Sequence, residues 1–353
     1  MKRPILFLRY LALLISFLVL CFFSCEKKDD KEEMYQEVAL AFDTVCSVQL
    51  FTKKNEQEVK PIFEEIFARL KELQITFSPT MSESELYRLN VSDVGEHIKL
   101  SKELHYVIQE NLKIARMTDG AFNPCIGSLT SLWRPLFNAT EENIVLPQDD
   151  VLKEALKLTD YSCITLTSDS ILKSQPCLLD LGASAKGYAT DCVKEIIVKN
   201  GIERAIIDFG GNISTVGKKE NGKAWRVGIK MPIVHNEGRV AGFLEVEDKA
   251  VVTSGNYERF FEKDGKLYHH IISSESGNPV DNELNAVTIV SHSATEADIL
   301  STTCFVLGLD EGVAFMQKFP LSSAIFFLKN GEVVEVNNTE TSFHIIDEEL
   351  RYR

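Results

Sequence analysis

Short apolar runs fill the second half of the chain, and they limit the possible folds more than any other feature. Segments such as WRVGIKMP, AVVTSG and NAVTIVSHS alternate or run apolar over about four to eight residues, which is the pattern of β-strands. A helix is predicted among them, over Ala294–Leu307. Strands and helices in one chain predict an α+β fold. Because no repeat and no second linker divides the chain, it should be a single mixed domain over residues 37–353, with a β-rich second half and flanking helices.

Helical patterns belong mainly to the first half. The segment Val38–Phe51 predicts a strand pair or one long strand near the start of the domain. An apolar stripe at Ile62, Ile66, Leu70 and Leu73 predicts a long helix after it. Further helices are predicted to begin near Ser84 and to cover Ser101–Thr118 and Lys186–Asn200.

The first 24 residues are predicted to be a secretion signal. Lys2 and Arg3 precede an apolar run, Leu11–Phe23, that ends in FFSC. A membrane anchor is the alternative, but the run has 13 residues, whereas a spanning helix needs roughly 20. Cys25, with the small Ser24 before it, resembles the acceptor cysteine of a bacterial lipoprotein signal. We therefore predict cleavage before Cys25 and lipidation of that residue.

A charged tether is predicted to follow, over residues 25–36. It contains EKKDDKEE, eight charged residues that cannot bury apolar area and therefore stay solvated. The expected product is a lipoprotein that is anchored at the inner membrane and faces the periplasm or the cell exterior.

The chain is acidic, with a formal net charge of −14 at pH 7. Loss of the first 24 residues removes three basic and no acidic residues, so the mature charge becomes −17. Nucleic acid is therefore not an expected partner, and a phosphate-bearing ligand would need a local cation or a metal ion. The seven cysteines of the mature chain show no zinc-ligand spacing, and those after Cys25 lie mostly in apolar runs. Buried free thiols are expected, and disulfides remain an open alternative.

The stretch LDLGASAKGYATD places an acid, a flexible turn and one lysine between a predicted strand, CLLDL, and a predicted helix. Asp180 lies at the end of the strand, Gly182 bends the chain, and Lys186 lies one turn into the helix. Backbone N–H groups at such a helix N-terminus face an anion, and the lysine can neutralise phosphate charge. The pattern suggests a nucleotide site, although on its own it more often marks an ordinary turn with a surface lysine.

The stretch SHSATEADILSTTCF places Asp298 and Thr302 four residues apart on a predicted helix, so that both oxygens lie on one face. A carboxylate and a hydroxyl, joined by a backbone carbonyl from elsewhere, form the oxygen-only ligand set that suits Mg²⁺. The alternative is that Thr302 bonds back to the carbonyl of Asp298 within the helix.

Two adjacent histidines, His269 and His270, are predicted to lie in a strand and to point to opposite sides. One of them can then face a site, and histidine is the side chain best suited to take a proton near neutral pH. Packing without any chemical role is the common alternative for a strand histidine.

Six sequence blocks occur together in a known order. They are GAFNPCIGSLTSLW, LDLGASAKGYATD, AIIDFGGNI, TSGNYERFFEKDGKLYHHI, SGNPV and ATEADILST. In order and near spacing they resemble the ApbE-type flavin transferases (FAD:protein FMN transferases) over roughly Phe42 to Leu307. The resemblance implies the fold of that family and a Mg²⁺-dependent reaction. In that reaction FAD is cleaved, FMN is moved to a threonine of an exported acceptor protein, and AMP is released.

The resemblance also implies roles for single residues. His270, directly before an Ile-Ile pair, matches the proposed base of the family, whereas His269 matches a variable position. The implied metal ligands are the backbone oxygen of Ala183 and the side chains of Asp298 and Thr302. The positions implied to contact FAD or to line its pocket are Phe42, Thr80, Ala121, Phe122, Asn123, Asp180, Lys186 and Ile272.

Three departures from the family pattern leave alternatives open. Thr80 stands where many relatives place a tyrosine that covers the flavin ring, Asn123 replaces an aspartate, and Ser273 and Ser274 replace an Asp-Pro pair. These changes spare the metal ligands but affect the identity of the nucleophile. A transferase is the leading hypothesis. A Mg²⁺-dependent FAD pyrophosphatase that uses water and a flavin-binding carrier lipoprotein are the alternatives.

Overall fold

The computed structural model describes residues 31–235, 238–339 and 341–353. The predicted signal over residues 1–24 and the predicted lipidation site Cys25 lie outside the described residues. Within the described ranges, no helix is both long enough and apolar enough to cross a membrane.

Eight α-helices form within the described residues. They are α1 (Glu56–Phe77), α2 (Glu85–Val91), α3 (Lys102–Met117), α4 (Gly127–Trp133), α5 (Asp149–Leu156), α6 (Ala185–Lys199), α7 (Ala294–Leu307) and α8 (Leu309–Met316). Polar side chains start four of them, because Asn55, Ser84, Ser101 and Ser293 each accept a hydrogen bond from the backbone N–H three residues on. The predicted stripe on α1 is buried against the core.

Seventeen strands form four sheets in the same ranges. They are β1 (Glu33–Ala41), β2 (Thr44–Thr52), β3 (His97–Lys99), β4 (Ile164–Leu166), β5 (Ser170–Lys173), β6 (Arg204–Phe209), β7 (Asn212–Val216), β8 (Trp225–Lys230), β9 (Val240–Val246), β10 (Ala250–Gly255), β11 (Phe260–Lys263), β12 (Lys266–His269), β13 (Leu284–Ser291), β14 (Ser323–Leu328), β15 (Glu332–Val336), β16 (Phe343–Ile345) and β17 (Arg351–Tyr352). The largest sheet has nine strands in the order β1-β2-β6-β7-β10-β13-β14-β15-β17. Its pairings are antiparallel except for β15 with β17. β11 and β12 form a hairpin, and β16-β9-β8 and β3-β5-β4 form two three-stranded sheets. The predicted α+β fold with a β-rich second half is confirmed.

The centre of the nine-stranded sheet is buried on both faces. Val287 and Ile289 of β13 pack with α7 and α8, whereas Ala286 and Val290 of the same strand pack with β8 and β9. Burial on both sides explains why β13 is apolar at almost every position. Along the helical side, α6 packs against β6 and β7, α7 packs against β10 and β13, and the two helices touch each other.

The start of the domain differs from its predicted boundary. β1 begins at Glu33, so residues 33–36, which were expected to be tether, pair with β2 in antiparallel register. The side chains of this part of the strand are mostly exposed. A strand that buries little carries no alternating apolar pattern, which is why its charged sequence resembles a tether. The remaining division into signal and tether stays a prediction.

The predicted strand CLLDL is wrong, because residues 177–181 join no sheet. Loop and side-chain partners satisfy this backbone instead. The Leu179 N–H donates to Oδ1 of Asn90 and the Asp180 N–H donates to the Pro124 oxygen, both over 2.8 Å. Cys177, Leu179 and Leu181 are buried, so burial at alternate positions of a loop segment produced the strand-like pattern.

Candidate functional site

Helices α6 and α7 come into direct contact at Gly187. A methyl group at Gly187 would lie 2.3 Å from the backbone oxygen of Ala294 and 2.8 Å from Cβ of Asp298. The Gly187 N–H donates to Oδ2 of Asp298 over 2.9 Å. Because any side chain at this position would separate the helices, the glycine allows the Asp298 carboxylate to reach the first turn of α6.

Asp191 holds the same two helices together. Its carboxylate accepts from the backbone N–H groups of Ala294 and Thr295 and from the hydroxyls of Ser293 and Thr295, over 2.7–2.9 Å. A carboxylate at the N-terminus of α7 also complements the positive end of the helix dipole. These bonds fix the position of α7 relative to α6, and Asp298 lies about one turn further along α7.

The predicted metal ligands Asp298 and Thr302 lie on neighbouring turns of α7. Asp298 is 2% exposed, and its Oδ1 lies 3.7 Å from Nζ of Lys186. The Thr302 hydroxyl is 3.1 Å from the Ser254 hydroxyl on β10. The hydroxyl that bonds back to the Asp298 carbonyl is that of Ser301, over 2.9 Å. The alternative considered for Thr302, a bond into its own helix, is therefore not observed.

The third predicted ligand, the backbone oxygen of Ala183, lies just before α6. No hydrogen bond from a described residue ends on this oxygen, and the residue packs against the cluster that contains α7. Among the described residues, no three His, Cys, Asp or Glu side chains are placed to hold a metal ion. A cation bound here would therefore depend on the carbonyl of Ala183 and the hydroxyl of Thr302 as well as on Asp298. The unpartnered carbonyl and the oxygen-only chemistry fit a hard cation.

Asp180 anchors the turn that leads into α6. Its Oδ2 accepts from the Arg134 guanidinium over 2.6 Å and from the Thr130 hydroxyl over 2.7 Å. Its Oδ1 accepts from the Gly182 N–H over 2.8 Å. The carboxylate thus ties the turn to α4 and to the residues that follow α4. If Asp180 also contacts FAD, its carboxylate must do so while it accepts these hydrogen bonds. The contact of Asp180 with FAD stays a prediction.

His269 is the last residue of β12, and it is a packed histidine. Its side chain is 4% exposed, its Nε2 lies 2.8 Å from the Val280 oxygen, and its ring packs edge-on against Phe305. Burial lowers the pKa of His269 to about 4. The ring is therefore neutral at pH 7, and its surroundings explain its presence without a chemical role.

His270 lies just after β12 and has a different environment. It is half-buried, and its backbone N–H donates to the Arg259 oxygen over 3.1 Å. Burial, together with nearby positive charges that include Arg259 and Lys186, lowers the pKa of His270 to about 3. The imidazole is neutral at pH 7 and can accept a proton, which is what a general base requires.

The tip of the β1–β2 hairpin, which contains Phe42, is linked to the His270 backbone through Arg259. Phe42 and Asp43 form its two-residue turn, with φ values of 52° and 56°. The Arg259 guanidinium donates to the Asp43 oxygen over 3.2 Å, so one arginine links the hairpin tip to the His270 backbone. A positive φ at phenylalanine costs about 1 kcal/mol or more. Tertiary contacts must therefore maintain Phe42 in this position.

The loop after His270 reaches Ala121. The Ser274 hydroxyl donates to the Gly120 oxygen over 2.6 Å and contacts the Ala121 oxygen over 3.2 Å. Ser274 is one of the residues that depart from the family pattern, and its hydroxyl makes these bonds. The Ser274 hydroxyl therefore attaches the His270 loop to the loop of Ala121.

The other predicted pocket residues are placed differently. Phe122, Asn123 and Ile272 are buried, with exposures between 4% and 9%. The side chain of Asn123 donates to the Thr159 oxygen over 2.7 Å and accepts from the Cys125 N–H over 2.8 Å, so it supports the loop. Thr80 is exposed, and its described hydrogen-bond partner is Ser78. The described contacts do not connect Thr80 to the other site residues.

Four residues of the site were not predicted: Gly187, Asp191, Ser254 and Arg259. Gly187 had a sequence signal, because glycine inside a helix costs about 1 kcal/mol relative to alanine and often marks a close approach. The other three occupy ordinary positions in a helix, a strand and a loop. Only the tertiary contacts described above give them a place in the site.

A family model described as ApbE family matches residues 42–327 of the chain. The chain belongs to the ApbE family. It is 33% identical over 316 residues to the FAD:protein FMN transferase of Treponema pallidum (strain Nichols), and the match covers 85% of this chain and 86% of that protein. The protein of the same name from Klebsiella pneumoniae (strain 342) is also 33% identical, with 80% and 87% covered.

Solved structures of the ApbE family share the fold. The flavin transferase ApbE from Vibrio cholerae matches with a TM-score of 0.77 at 27% identity, covering 86% of this chain and 97% of that one. The ApbE protein from Thermotoga maritima matches with a TM-score of 0.76 at 30% identity, covering 86% and 96%. The family and the fold that the six sequence blocks predicted are therefore confirmed.

Proposed function

We propose that this chain is an enzyme that transfers FMN from FAD to a protein. The observation that carries the proposal is the contact of Lys186 with Asp298 at the start of α6, 3.7 Å apart. It places a cation that can meet phosphate beside a buried carboxylate that can hold a metal. Relatives named FAD:protein FMN transferase are 33% identical to this chain over 80–85% of its length.

The FAD diphosphate is proposed to lie between Lys186 and Arg259. Both positive charges are near enough to His270 to lower its pKa, which supports this placement. The chain as a whole has a net charge of −14, which repels anions. Two positive side chains near one neutral histidine add local positive charge, which favours an anion there. The N-terminus of α6 adds backbone N–H groups and the positive end of a 15-residue helix.

Magnesium is the proposed metal, held by the Ala183 oxygen, the Asp298 carboxylate and the Thr302 hydroxyl. One charged and two neutral oxygen ligands suit Mg²⁺, which keeps its remaining positions for water and phosphate oxygens. When bound, the ion would offset the negative charge that develops on the diphosphate. Lys186 lies close enough to Asp298 that it would share this carboxylate with the metal.

His270 is proposed to take the proton from the incoming threonine hydroxyl of the acceptor protein. As the threonine oxygen bonds to the phosphorus of the FMN half, the bond from that phosphorus to the AMP oxygen breaks. AMP then leaves with the electron pair. An anionic diphosphate beside His270 would raise the pKa of the ring from about 3 toward the range in which proton transfer is efficient.

The setting of this reaction is proposed from the first 36 residues. Cleavage before Cys25 and lipidation of Cys25 would place the domain on the outer side of the inner membrane, facing the periplasm or the cell exterior. The acceptor would then be an exported protein, and the membrane would be a partner through the lipid.

The test follows AMP and acceptor mass together. The chain is incubated with FAD and Mg²⁺, with and without an exported protein that carries an exposed threonine. A variant of that acceptor with the threonine changed to valine is the matched control. AMP that forms only with the threonine acceptor, together with the mass of one FMN added to it, is the expected result.

The other outcomes identify the alternatives. AMP that forms equally with and without the acceptor would replace the transferase by a FAD pyrophosphatase that uses water. The exposed Thr80 is the feature that favours this alternative, because a threonine cannot stack on a flavin ring and would leave the site more open to water. FAD that is recovered unchanged in both reactions would leave only a flavin carrier.

A further inference from the structure

Three buried cysteines meet behind the turn of Asp180. Cys125, Cys163 and Cys177 are free thiols with exposures of 0%, 1% and 3%. The Cys163 thiol donates to the Cys177 sulfur over 3.1 Å, and Cys125 is close enough to both to affect their ionisation. The sequence predicted buried free thiols but not this clustering.

The cluster joins separate segments of the chain at the site. The loop that contains Cys125 pairs with the segment that contains Cys177, because the Gly127 N–H donates to the Leu178 oxygen over 2.8 Å and the Asp180 N–H donates to the Pro124 oxygen. Cys163 lies just before β4 and is the last residue of a short 3₁₀ turn. A covalent bond here would therefore attach the Asp180 turn to the small sheet β3-β5-β4.

A buried lysine lies beside these thiols. Lys173 is 3% exposed, and its ammonium donates to the backbone oxygens of Leu89 and Asn90 over 2.9 and 3.1 Å. Its charge acts on Cys163 and Cys177. Hydrogen bonds from the neighbouring thiols lower the pKa of Cys163. A nearby cation and neighbouring thiols favour the thiolate form in this cluster, and the thiolate is the nucleophile of disulfide exchange.

We propose that Cys163 and Cys177 form a disulfide that clamps the Asp180 turn, with Cys125 remaining as the neighbouring thiol. The Cys163 thiolate attacks a small-molecule or protein disulfide and releases one thiol. The Cys177 thiolate then attacks the sulfur of Cys163 in the mixed disulfide and releases the second thiol. The two cysteines lose two protons and two electrons, and the external disulfide is reduced to two thiols. Exchange takes place as these segments come together, before folding closes the thiols off from solvent. This proposal does not depend on the proposed transferase activity.

Refolding with thiol mapping tests the bond directly. The full chain is unfolded under reducing conditions and refolded in a buffer of reduced and oxidised glutathione. After acid quenching it is alkylated in denaturant without reductant, digested and analysed by mass spectrometry. The expected result is a Cys163–Cys177 cross-linked peptide, with alkylation at Cys125 and at Cys304. Alkylation of all three cluster cysteines, or a link through Cys125, would overturn the proposal.

Stability gives a second readout. The two cysteines are 14 residues apart, and closing a loop of that size raises the folding equilibrium constant roughly 100-fold. Reduction should therefore lower the urea midpoint of the wild-type chain. It should not change that of Cys163→Ala, and Cys304→Ala, an equally buried thiol outside the cluster, should respond like the wild type. Equal midpoints for the oxidised and reduced wild-type chain would contradict a clamp. If Cys163→Ala does not fold, the peptide map of the wild-type chain decides.

Discussion

Replacing Gly187 with alanine tests whether the site depends on the close approach of α6 and α7. The added methyl would lie 2.3 Å from the Ala294 oxygen, so the helices would have to separate by about 1 Å to restore ordinary contact. Overpacking of this kind costs about 1–3 kcal/mol. Weakening the N–H bond from residue 187 to the Asp298 carboxylate costs about 1.5–3 kcal/mol. Alanine regains about 1 kcal/mol of helix propensity, so the expected net loss of stability is about 1.5–5 kcal/mol.

Two measurements on Gly187→Ala separate stability from the site. Urea denaturation should show the lower free energy of unfolding, and a Mg²⁺ titration of FAD turnover should show a weaker response because Asp298 is displaced. Gly228→Ala is the matched control, since its methyl would meet nothing closer than 3.7 Å. If Gly187→Ala matches the wild-type chain in both measurements, the packing of α6 on α7 does not position Asp298.

Three further predictions address single side chains. Asp298→Asn should lower kcat/KM about 100-fold or more at fixed Mg²⁺, because a neutral amide is a weaker metal ligand than a carboxylate. The control Asp310→Asn, at an exposed position on α8, should leave kcat/KM unchanged. Wild-type activity in Asp298→Asn would exclude this carboxylate from the site. His270→Ala should lower kcat by about 10²–10⁴ with FAD affinity retained, whereas the exposed His97→Ala should change neither; a change in affinity alone would make the ring a pocket wall. Between pH 7 and pH 5 the unfolded chain protonates His269 but the folded chain does not, because the folded pKa is about 4. His269 should therefore contribute about 2 kcal/mol to the fall in stability over this range, and an equally steep fall in His269→Gln would assign the effect to other groups.

The parts of the fold that could be predicted are those with local causes. α7 begins and ends where the sequence predicts, because Ser293 caps its start and Gly308, with φ of 79°, ends it. The stripe of α1 is likewise a local pattern that one buried face explains. In each case the signal and its physical reason lie within a few residues of each other.

The errors arise where distant partners replace local ones. The run CLLDL is apolar because it is buried, yet its backbone is satisfied by Asn90 and Pro124 instead of a neighbouring strand. In β1 the situation is reversed. Its first residues pair with β2 as a strand, but their side chains stay exposed and show no apolar pattern. Apolar periodicity reports burial, and it predicts strand pairing only where burial and pairing coincide.

The residues of the site come from parts of the sequence that are far apart, and local patterns alone cannot assemble them. The bond between Gly187 and Asp298 spans 111 positions, and the one between Arg259 and Asp43 spans 216. Such contacts still leave local traces, because Gly187 weakens its own helix and Phe42 adopts a positive φ. Each cost is about 1 kcal/mol or more, and it persists only where tertiary contacts offset it. Residues whose backbone conformation is unfavourable for their type are therefore the first that an experimenter should substitute when searching for the site of such a chain.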